Sequence, residues 1–277
     1  MKKTKTYVIT GTTSGIGYSI LQALCKDNII FAGYRNSDKI KDWNFNKNVI
    51  PFYIDMENSD SIKNAAEFIQ SKTKKIDTLL NVAGCVVAGA IEEISIEDIK
   101  RQFEVNTFSH LDFTQRLLSL LDGGKIINIS SMASYGIFPF IAPYCASKRA
   151  LDILFNSLAL ECEKKIKYIS IKPGAIATPL WSKSVQNNMK NLKNNTYNKE
   201  HDYLIKNALK NEKKGLNVKK VVNVVLKADR AKNPKASYTV GNDAFFVKIA
   251  SRLPQNFINK IIKLGLKLKI KGKNNDK

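Results

Sequence analysis

The sequence predicts an α/β fold: a parallel sheet, doubly wound, with helices on both faces. Two observations carry this expectation. Short apolar runs of strand character alternate with stretches of helical periodicity along most of the chain. A glycine-rich turn, Gly11-Thr12-Thr13-Ser14-Gly15-Ile16-Gly17, also follows the first of these runs and opens the first helix. A chain of 277 residues with ordinary hydrophobic content and no internal repeat suits one large domain of this class.

Lys5-Thr6-Tyr7-Val8-Ile9-Thr10 reads as a short buried strand, and Ile16, Ile20, Leu21 and Leu24 then recur at helical spacing. Strands are expected near 6–10, 29–34, 49–54, 76–81, 124–129, 166–172 and 236–240, while Ser59 to Ser71 and Ile96 to Leu121 read as helices. Ligands of such sheets bind beyond the carboxyl ends of the strands. Gly11, Gly84, Ser131 and Pro173 all fall at those ends.

Two constellations carry chemistry. Strand, glycine turn and helix N-terminus form a pyrophosphate cradle. Gly11 permits the tight turn, Gly15 lets an anion approach the backbone, and Gly17 allows close packing of helix on strand. The second is Ser131, Tyr144 and Lys148. An i, i+4 spacing puts the phenol and the ammonium on one helical face. A neighbouring cation favours phenolate and so lowers the phenol's pKa toward neutrality. Ser131, thirteen residues before Tyr144, ends the preceding strand and can polarise a carbonyl oxygen that Tyr144 protonates. Its neighbour Ser130 is expected to support the backbone.

Together these residues resemble the short-chain dehydrogenase/reductase superfamily, the Tyr-x-x-x-Lys type with a Rossmann fold. Thr10-Gly11-x-x-x-Gly15-Ile16-Gly17 is similar to its cofactor signature, and Asn81-Val82-Ala83-Gly84 to its Asn-Asn-Ala-Gly element, with Val82 in place of the second Asn. Asn106 falls where the family keeps a fourth catalytic residue, and Pro173-Gly174-Ala175-Ile176-Ala177-Thr178 resembles the loop at the nicotinamide. The match runs from about residue 5 to 241. It implies hydride transfer between a nicotinamide and a carbonyl or alcohol. Asn106, Ser131, Tyr144 and Lys148 are then the catalytic residues: Tyr144 exchanges the proton, Lys148 bonds the ribose, Ser131 holds the substrate oxygen and Asn106 anchors a water. The implied cofactor contacts are Gly11, Thr13, Ser14, Gly15, Ile16, Gly17, Arg35, Asp55, Met56, Asn81, Ala83, Gly84, Tyr144, Lys148, Pro173, Gly174, Ile176 and Thr178. No metal is expected.

NADP is expected over NAD. NAD users of the family place an acid at the end of the second strand, where this chain has Tyr34 followed by Arg35. A guanidinium suits a 2′-phosphate, although Ser14 offers no second cation in the glycine turn. Asp55 resembles the family aspartate at the adenine amino group, with capping of the next helix as its other reading, a task Ser59 can also do. The catalytic domain is placed at 1–245, with a polar, weakly periodic lid at about 179–216, and an extension at 246–277. Phe138, Phe140 and Ile141 can wall an apolar pocket, which points to a lipophilic ketone or alcohol of steroid, retinoid or acyl type. The family implies a homodimer or homotetramer.

The net charge of +21 owes much to Lys mixed with Asn and Ile, a bias that an A/T-rich genome produces without function. After Pro254, however, Phe257, Ile258, Ile261, Ile262, Leu264 and Leu268 stand against Lys260, Lys263, Lys267 and Lys271 at helical spacing. Two destinations stay open for this basic amphipathic helix: docking on protein, or peripheral contact with an anionic membrane. No aromatic interleaving or motif supports nucleic-acid binding. Cys25, Cys85, Cys145 and Cys162 are scattered, as expected of reduced thiols in a cytoplasmic protein. Met1-Lys2-Lys3 imitates a leader, but the apolar stretch after it is the first strand. The alternative is a non-catalytic, cofactor-sensing or membrane-surface interaction protein on the same fold.

Overall fold

The computed structural model describes residues 4–192 and 196–271, with side chains to residue 266. Asn194-Asn195 of the expected lid and the tail from 272 lie outside the described residues, as do Met1-Lys2-Lys3. The described chain forms one parallel sheet from β1 (Thr6–Ile9), β2 (Ile29–Tyr34), β3 (Val49–Tyr53), β4 (Thr78–Asn81), β5 (Lys125–Ile129), β6 (Lys167–Pro173) and β7 (Ser237–Val240), in the order β3-β2-β1-β4-β5-β6-β7. All seven expected strands are present. The order reverses between β1 and β4, and the carboxyl ends of those two strands flank the crevice where ligands of such sheets bind.

Alternation along each strand sends neighbouring side chains to opposite faces. Val8, Phe31, Leu79 and Ile126 face α2 (Ser59–Lys72), α4 (Ser109–Leu117) and α5 (Ala142–Glu161), and meet Ile62, Phe113, Leu151 and Phe155. On the other face Ile9, Ile30, Leu80 and Ile127 meet Ile20 and Leu21 of α1 (Gly15–Leu24) and Val221 and Val225 of α9 (Val218–Arg230). Both faces are apolar, so the strands read as continuous hydrophobic runs.

The helix expected from Ile96 to Leu121 departs from one regular cylinder. It is α3 (Ile96–Phe103) and α4, joined by a π-helical turn over Glu104–Phe108 and closed by a 3₁₀ turn over Leu118–Leu120. The π-turn inserts a residue into the helical repeat and re-aims the side chains it carries, Asn106 among them. Helix α2 is capped by Asn58, whose side chain accepts from Ser61 N at 2.9 Å, so neither Asp55 nor Ser59 has that task.

The expected lid is helical for most of its length, in α6 (Leu180–Asn187), α7 (Met189–Leu192) and α8 (Asn198–Lys214). The boundary expected after residue 245 falls inside α10 (Asn242–Ala250), whose first turn belongs to the site described below. The basic helix is α11 (Gln255–Lys271). Its apolar residues form two stripes. Ile258, Ile262 and Leu266 are half-buried on the side that meets α8, while Phe257, Ile261 and Leu264, at i, i+4 and i+7, remain 52%, 52% and 60% exposed. Helix α10 likewise leaves Phe245, Phe246 and Ile249 outward.

Behind the catalytic face, Asp152 of α5 pairs with Lys172 of β6 at 2.7 Å and accepts from Ser170 Oγ at 2.7 Å and from Tyr168 OH at 3.2 Å. The Lys172 ammonium also lies over the Tyr135 ring, 4.4 Å from its centre. Both charged side chains are nearly inaccessible. Asp152→Ala leaves Lys172 buried without its counter-ion and should destabilise the fold by about 3–5 kcal/mol. Urea denaturation at neutral pH measures this; a loss under about 1 kcal/mol would mean that water replaces the carboxylate.

Candidate active site

The glycine turn leaves β1 at Thr10 and enters α1 at Gly15. Thr12 holds it to β2, donating from both N (3.1 Å) and Oγ1 (2.8 Å) to the Gly33 carbonyl. Gly11 has φ of +69°, and a Cβ there would lie 2.9 Å from Ala83 Cα. A Cβ on Gly17 would overlap the Gly11 carbonyl oxygen, so only glycine lets α1 approach the turn. Ser14, at the N-cap of α1, makes no side-chain cap bond. The first N–H groups of the helix are therefore left to meet an anion.

The β4 end faces this turn. Thr10 Oγ1 accepts from Val82 N at 2.9 Å and Ala83 N at 3.1 Å, which joins the two loops at the crevice. His110, fully buried on α4, donates from Nε2 to the Ala83 carbonyl at 2.8 Å. Burial, with the Lys148 charge nearby, pushes its imidazole down to about 3, so it stays neutral. Asn81 is buried and donates to Asn128 Oδ1 at 2.9 Å and Thr114 Oγ1 at 3.3 Å. Its side-chain amide ties β4 to β5 and α4.

Ser131 follows β5 and caps a 3₁₀ turn over Met132–Tyr135, accepting from Ala133 N at 3.1 Å. Its hydroxyl is close enough to the Tyr144 phenol to act on its pKa. Tyr144 and Lys148 lie in the first two turns of α5, whose start is set by Pro143. Lys148 Nζ donates to the Ile129 carbonyl at 2.9 Å. A Cβ on Gly84 would stand 3.2 Å from Asn106 Oδ1 and 3.6 Å from Lys148 Nζ, so all three meet at one point. Asn106 accepts from Cys85 N at 2.9 Å and donates to Cys85 O (3.0 Å) and Ser147 Oγ (3.1 Å), clamping the β4 loop to α5. The four expected catalytic residues thus converge.

The electrostatics differ from the expectation that Lys148 lowers the Tyr144 pKa. Burial raises the phenol to about 12, opposed by the neighbouring Ser131 hydroxyl. The ammonium is turned to the Ile129 carbonyl instead. Burial also lowers Lys148 itself to about 8, against the pull of Asp152 one turn on. At neutral pH the phenol is protonated and Lys148 still mainly charged.

The loop after β6 covers the glycine turn: a Cβ on Gly15 would meet Thr178 Cβ at 3.4 Å. Ile176 is buried and bridges to Leu216. Pro173 ends β6 and Gly174 N donates to the Val240 carbonyl at 2.9 Å. Asp243, from the first turn of α10, accepts from Ala175 N at 2.8 Å and so fixes this loop. Met56 is buried beside α4, its carbonyl accepting from Ser109 Oγ. Asp55 is half-buried at the β3 end, accepts from Glu57 N at 3.0 Å and lies 3.8 Å from Arg35 Nη1. His110 and Asp243 were not singled out from sequence, and Thr10 only as the first residue of the glycine signature, without its role of joining the two loops. Only Asp243 carries a local sign, an acid in a helix's first turn after Gly241; the others act through contacts distant in sequence.

The family model described as short chain dehydrogenase matches residues 5–189. The chain belongs to the short-chain dehydrogenase/reductase family. It is therefore an oxidoreductase acting on CH–OH groups and their carbonyl counterparts. An NADPH-dependent 3-dehydrocapnine reductase of Ornithobacterium rhinotracheale is 31% identical over 94% of this chain and 96% of its own. A 3-ketodihydrosphingosine reductase of Bacteroides thetaiotaomicron is 30% identical over 93% and 96%. A solved short-chain dehydrogenase from Streptomyces avermitilis shares the fold with a TM-score of 0.77, at 20% identity and full coverage of both chains. The glycine turn, its uncapped helix and the loop carrying Thr178 fit the nicotinamide dinucleotide that this family uses.

His110 makes stability depend on pH. The unfolded imidazole takes a proton below about pH 6.5 while the folded one stays neutral to about 3. Acid therefore favours the unfolded chain, by about 1.4 kcal/mol per pH unit below 6.5 from this residue. His110→Gln keeps a donor for Ala83 without titrating. Its stability should fall less steeply between pH 6.5 and 5 in urea unfolding; identical slopes would show that His110 is protonated when folded.

Proposed function

We propose that this enzyme is an NADP(H)-dependent reductase of a lipophilic ketone, able to oxidise the corresponding alcohol. The observation that carries the reading is the Ser131–Tyr144 pair, with a half-buried phenol that keeps its proton on the helical face it shares with Lys148. The bound cofactor supplies the hydride. Ser131 donates a hydrogen bond to the carbonyl oxygen, and Tyr144 delivers its proton there as the carbon is reduced. Lys148 holds the nicotinamide ribose, and its ammonium, near its own pKa, returns a proton toward the phenol. Asn106 keeps the β4 loop and α5 in register around that path and anchors the water expected there.

Support for NADP comes from Arg35, from the absence of an acid at Tyr34, and from the NADPH-dependent relative. Arg35 is not free, since Glu57 Oε1 lies 3.3 Å and Asp55 Oδ1 3.8 Å from its guanidinium. A lipophilic ketone is favoured by Phe138, Phe140 and Ile141 before Tyr144, and the two named relatives are reductases by name, one of a 3-keto compound. Exposed Phe108, Ile153 and Leu160 supply an apolar face for a homodimer or homotetramer. No helix among the described residues is long and apolar enough to cross a membrane. A cytoplasmic enzyme touching an anionic bilayer through α10 and α11 fits their outward stripes. Lys248, Arg252, Lys260 and Lys263 accompany those stripes, with no acid between Ala244 and Leu266.

Tyr144→Phe should lower turnover by at least about 10²–10⁴-fold while the dissociation constant for NADPH stays within about twofold. NADPH oxidation with a panel of ketones, alongside fluorescence titration of the cofactor, checks both; near wild-type turnover would refute the mechanism. The membrane reading predicts sedimentation with vesicles containing phosphatidylglycerol, weakened by salt since screening acts within about 10 Å at 0.1 M, and lost in Phe257→Ser/Ile261→Ser/Leu264→Ser. Equal sedimentation with neutral vesicles, or none with either, would assign the stripe to contact with protein.

A further inference from the structure

The glycine turn has no cation of its own, because Ser14 stands where one would meet the adenosine phosphate. The lid provides one. Lys183, in the first turns of α6, donates from Nζ to Ser14 Oγ at 3.3 Å, although 169 residues separate them. Its surroundings are unfavourable for a cation. Partial burial and the charges of Lys39 and Arg35 all push the Lys183 ammonium below the usual lysine range, and only Glu212 acts the other way. Lys39 comes from the 3₁₀ turn over Ser37–Ile40 that follows β2, four residues after Arg35.

Lys183 thus stands at Ser14 within reach of the charges of Lys39 and Arg35, which come from separate elements. The facing acids are Asp55 and Glu57, which lie against Arg35, and Glu212, which accepts from Ser182 N at 2.7 Å. Bringing Lys39 and Lys183 together raises the energy of both charges unless an anion lies between them. A doubly charged phosphate would reverse the sign of that interaction.

We propose that Lys183 is the second cation of the 2′-phosphate site, carried by the lid helix in place of the glycine turn, so that recognition of NADP and closure of the lid are one event. This rests on the NADP preference proposed above. The 2′-phosphate links Arg35 and Lys39 at the β2 corner to α6. Because Glu212 of α8 holds the start of α6 through Ser182, the restraint extends to α8. NADH, without that phosphate, leaves Lys183 opposed by Lys39 and the lid less firmly held.

The test uses the whole protein with NADPH and NADH, and reads binding and lid protection separately from turnover. Dissociation constants are measured by fluorescence titration for wild type, Lys183→Gln and Lys183→Arg, and amide hydrogen exchange is followed across residues 180–192 and 198–214. Lys183→Gln should weaken NADPH by about 10- to 100-fold, the worth of one charged hydrogen bond, and leave NADH within about twofold. Lys183→Arg should keep the preference. NADPH should slow exchange in both lid segments of the wild type more than NADH does, and lose that advantage in Lys183→Gln. An unchanged NADPH constant in Lys183→Gln, an equal loss for both cofactors (contact with the shared pyrophosphate), or equal protection by both would overturn the inference. If wild type shows no preference for NADPH, the cofactor assignment fails and this inference with it. A preference that survives Lys183→Gln overturns the inference alone.

Discussion

The site is organised around the approach of Ala83 to the glycine turn. At this point the sheet reverses its order, and two loops that leave adjacent strands in diverging directions have to be held nearly in contact. Thr10 does this with one hydroxyl oxygen that accepts from two successive backbone N–H groups, and His110 secures the Ala83 carbonyl from the helix behind. The close fit requires glycine at 11 and a small residue at 83. Each of these backbone groups would otherwise be unsatisfied near the floor of a crevice, at a cost of about 1–3 kcal/mol apiece. The crevice is therefore preformed, and its shape does not depend on a ligand to draw the loops together.

Much of this was legible in the sequence. Apolar runs and turn residues mark all seven strands because a parallel sheet covered on both faces requires continuous apolar segments. The placement of Ser131, Tyr144 and Lys148 was legible because a helical spacing and a strand end fix it. What was not legible depends on contacts between distant segments. The π-turn at Asn106 has no local signature in Glu-Val-Asn-Thr-Phe, and the helical pattern on either side of it reads as continuous. The lid looked weakly periodic since its helices are short or largely polar, and they pack on each other with few large side chains. The tie from α10 to the loop after β6 was not legible because Asp243 looks like an ordinary helix-start acid until the loop it fixes is seen.

The electrostatic expectation at Tyr144 shows a different kind of limit. Spacing shows that two groups share a helical face, but not where a four-carbon side chain directs its charge. Lys148 turns to a carbonyl at the end of β5, and burial then decides the state of the phenol. A protonated phenol beside the Ser131 hydroxyl is a proton donor held ready, which suits reduction more directly than a phenolate would. The tail was similarly half-readable. Its amphipathic pattern was plain, yet the pattern covers two stripes, and the two destinations that looked exclusive can both be filled, Ile258 and Ile262 facing protein while Phe257 and Ile261 do not.

The π-turn over Glu104–Phe108 has a consequence for how this chain can vary in length. A regular α-helix advances 100° per residue, so losing one residue there would let the helix run on unbroken, with ordinary hydrogen bonds and no loss of helical propensity. Backbone energetics would not oppose the deletion. Every side chain beyond it would nonetheless rotate by more than a quarter turn about the axis. His110 would leave Ala83, Phe113 would leave the core, and the clamp at Cys85 would open. The segment therefore admits no change of residue count, and a single-codon deletion there would leave a folded-looking helix attached to a dismantled floor.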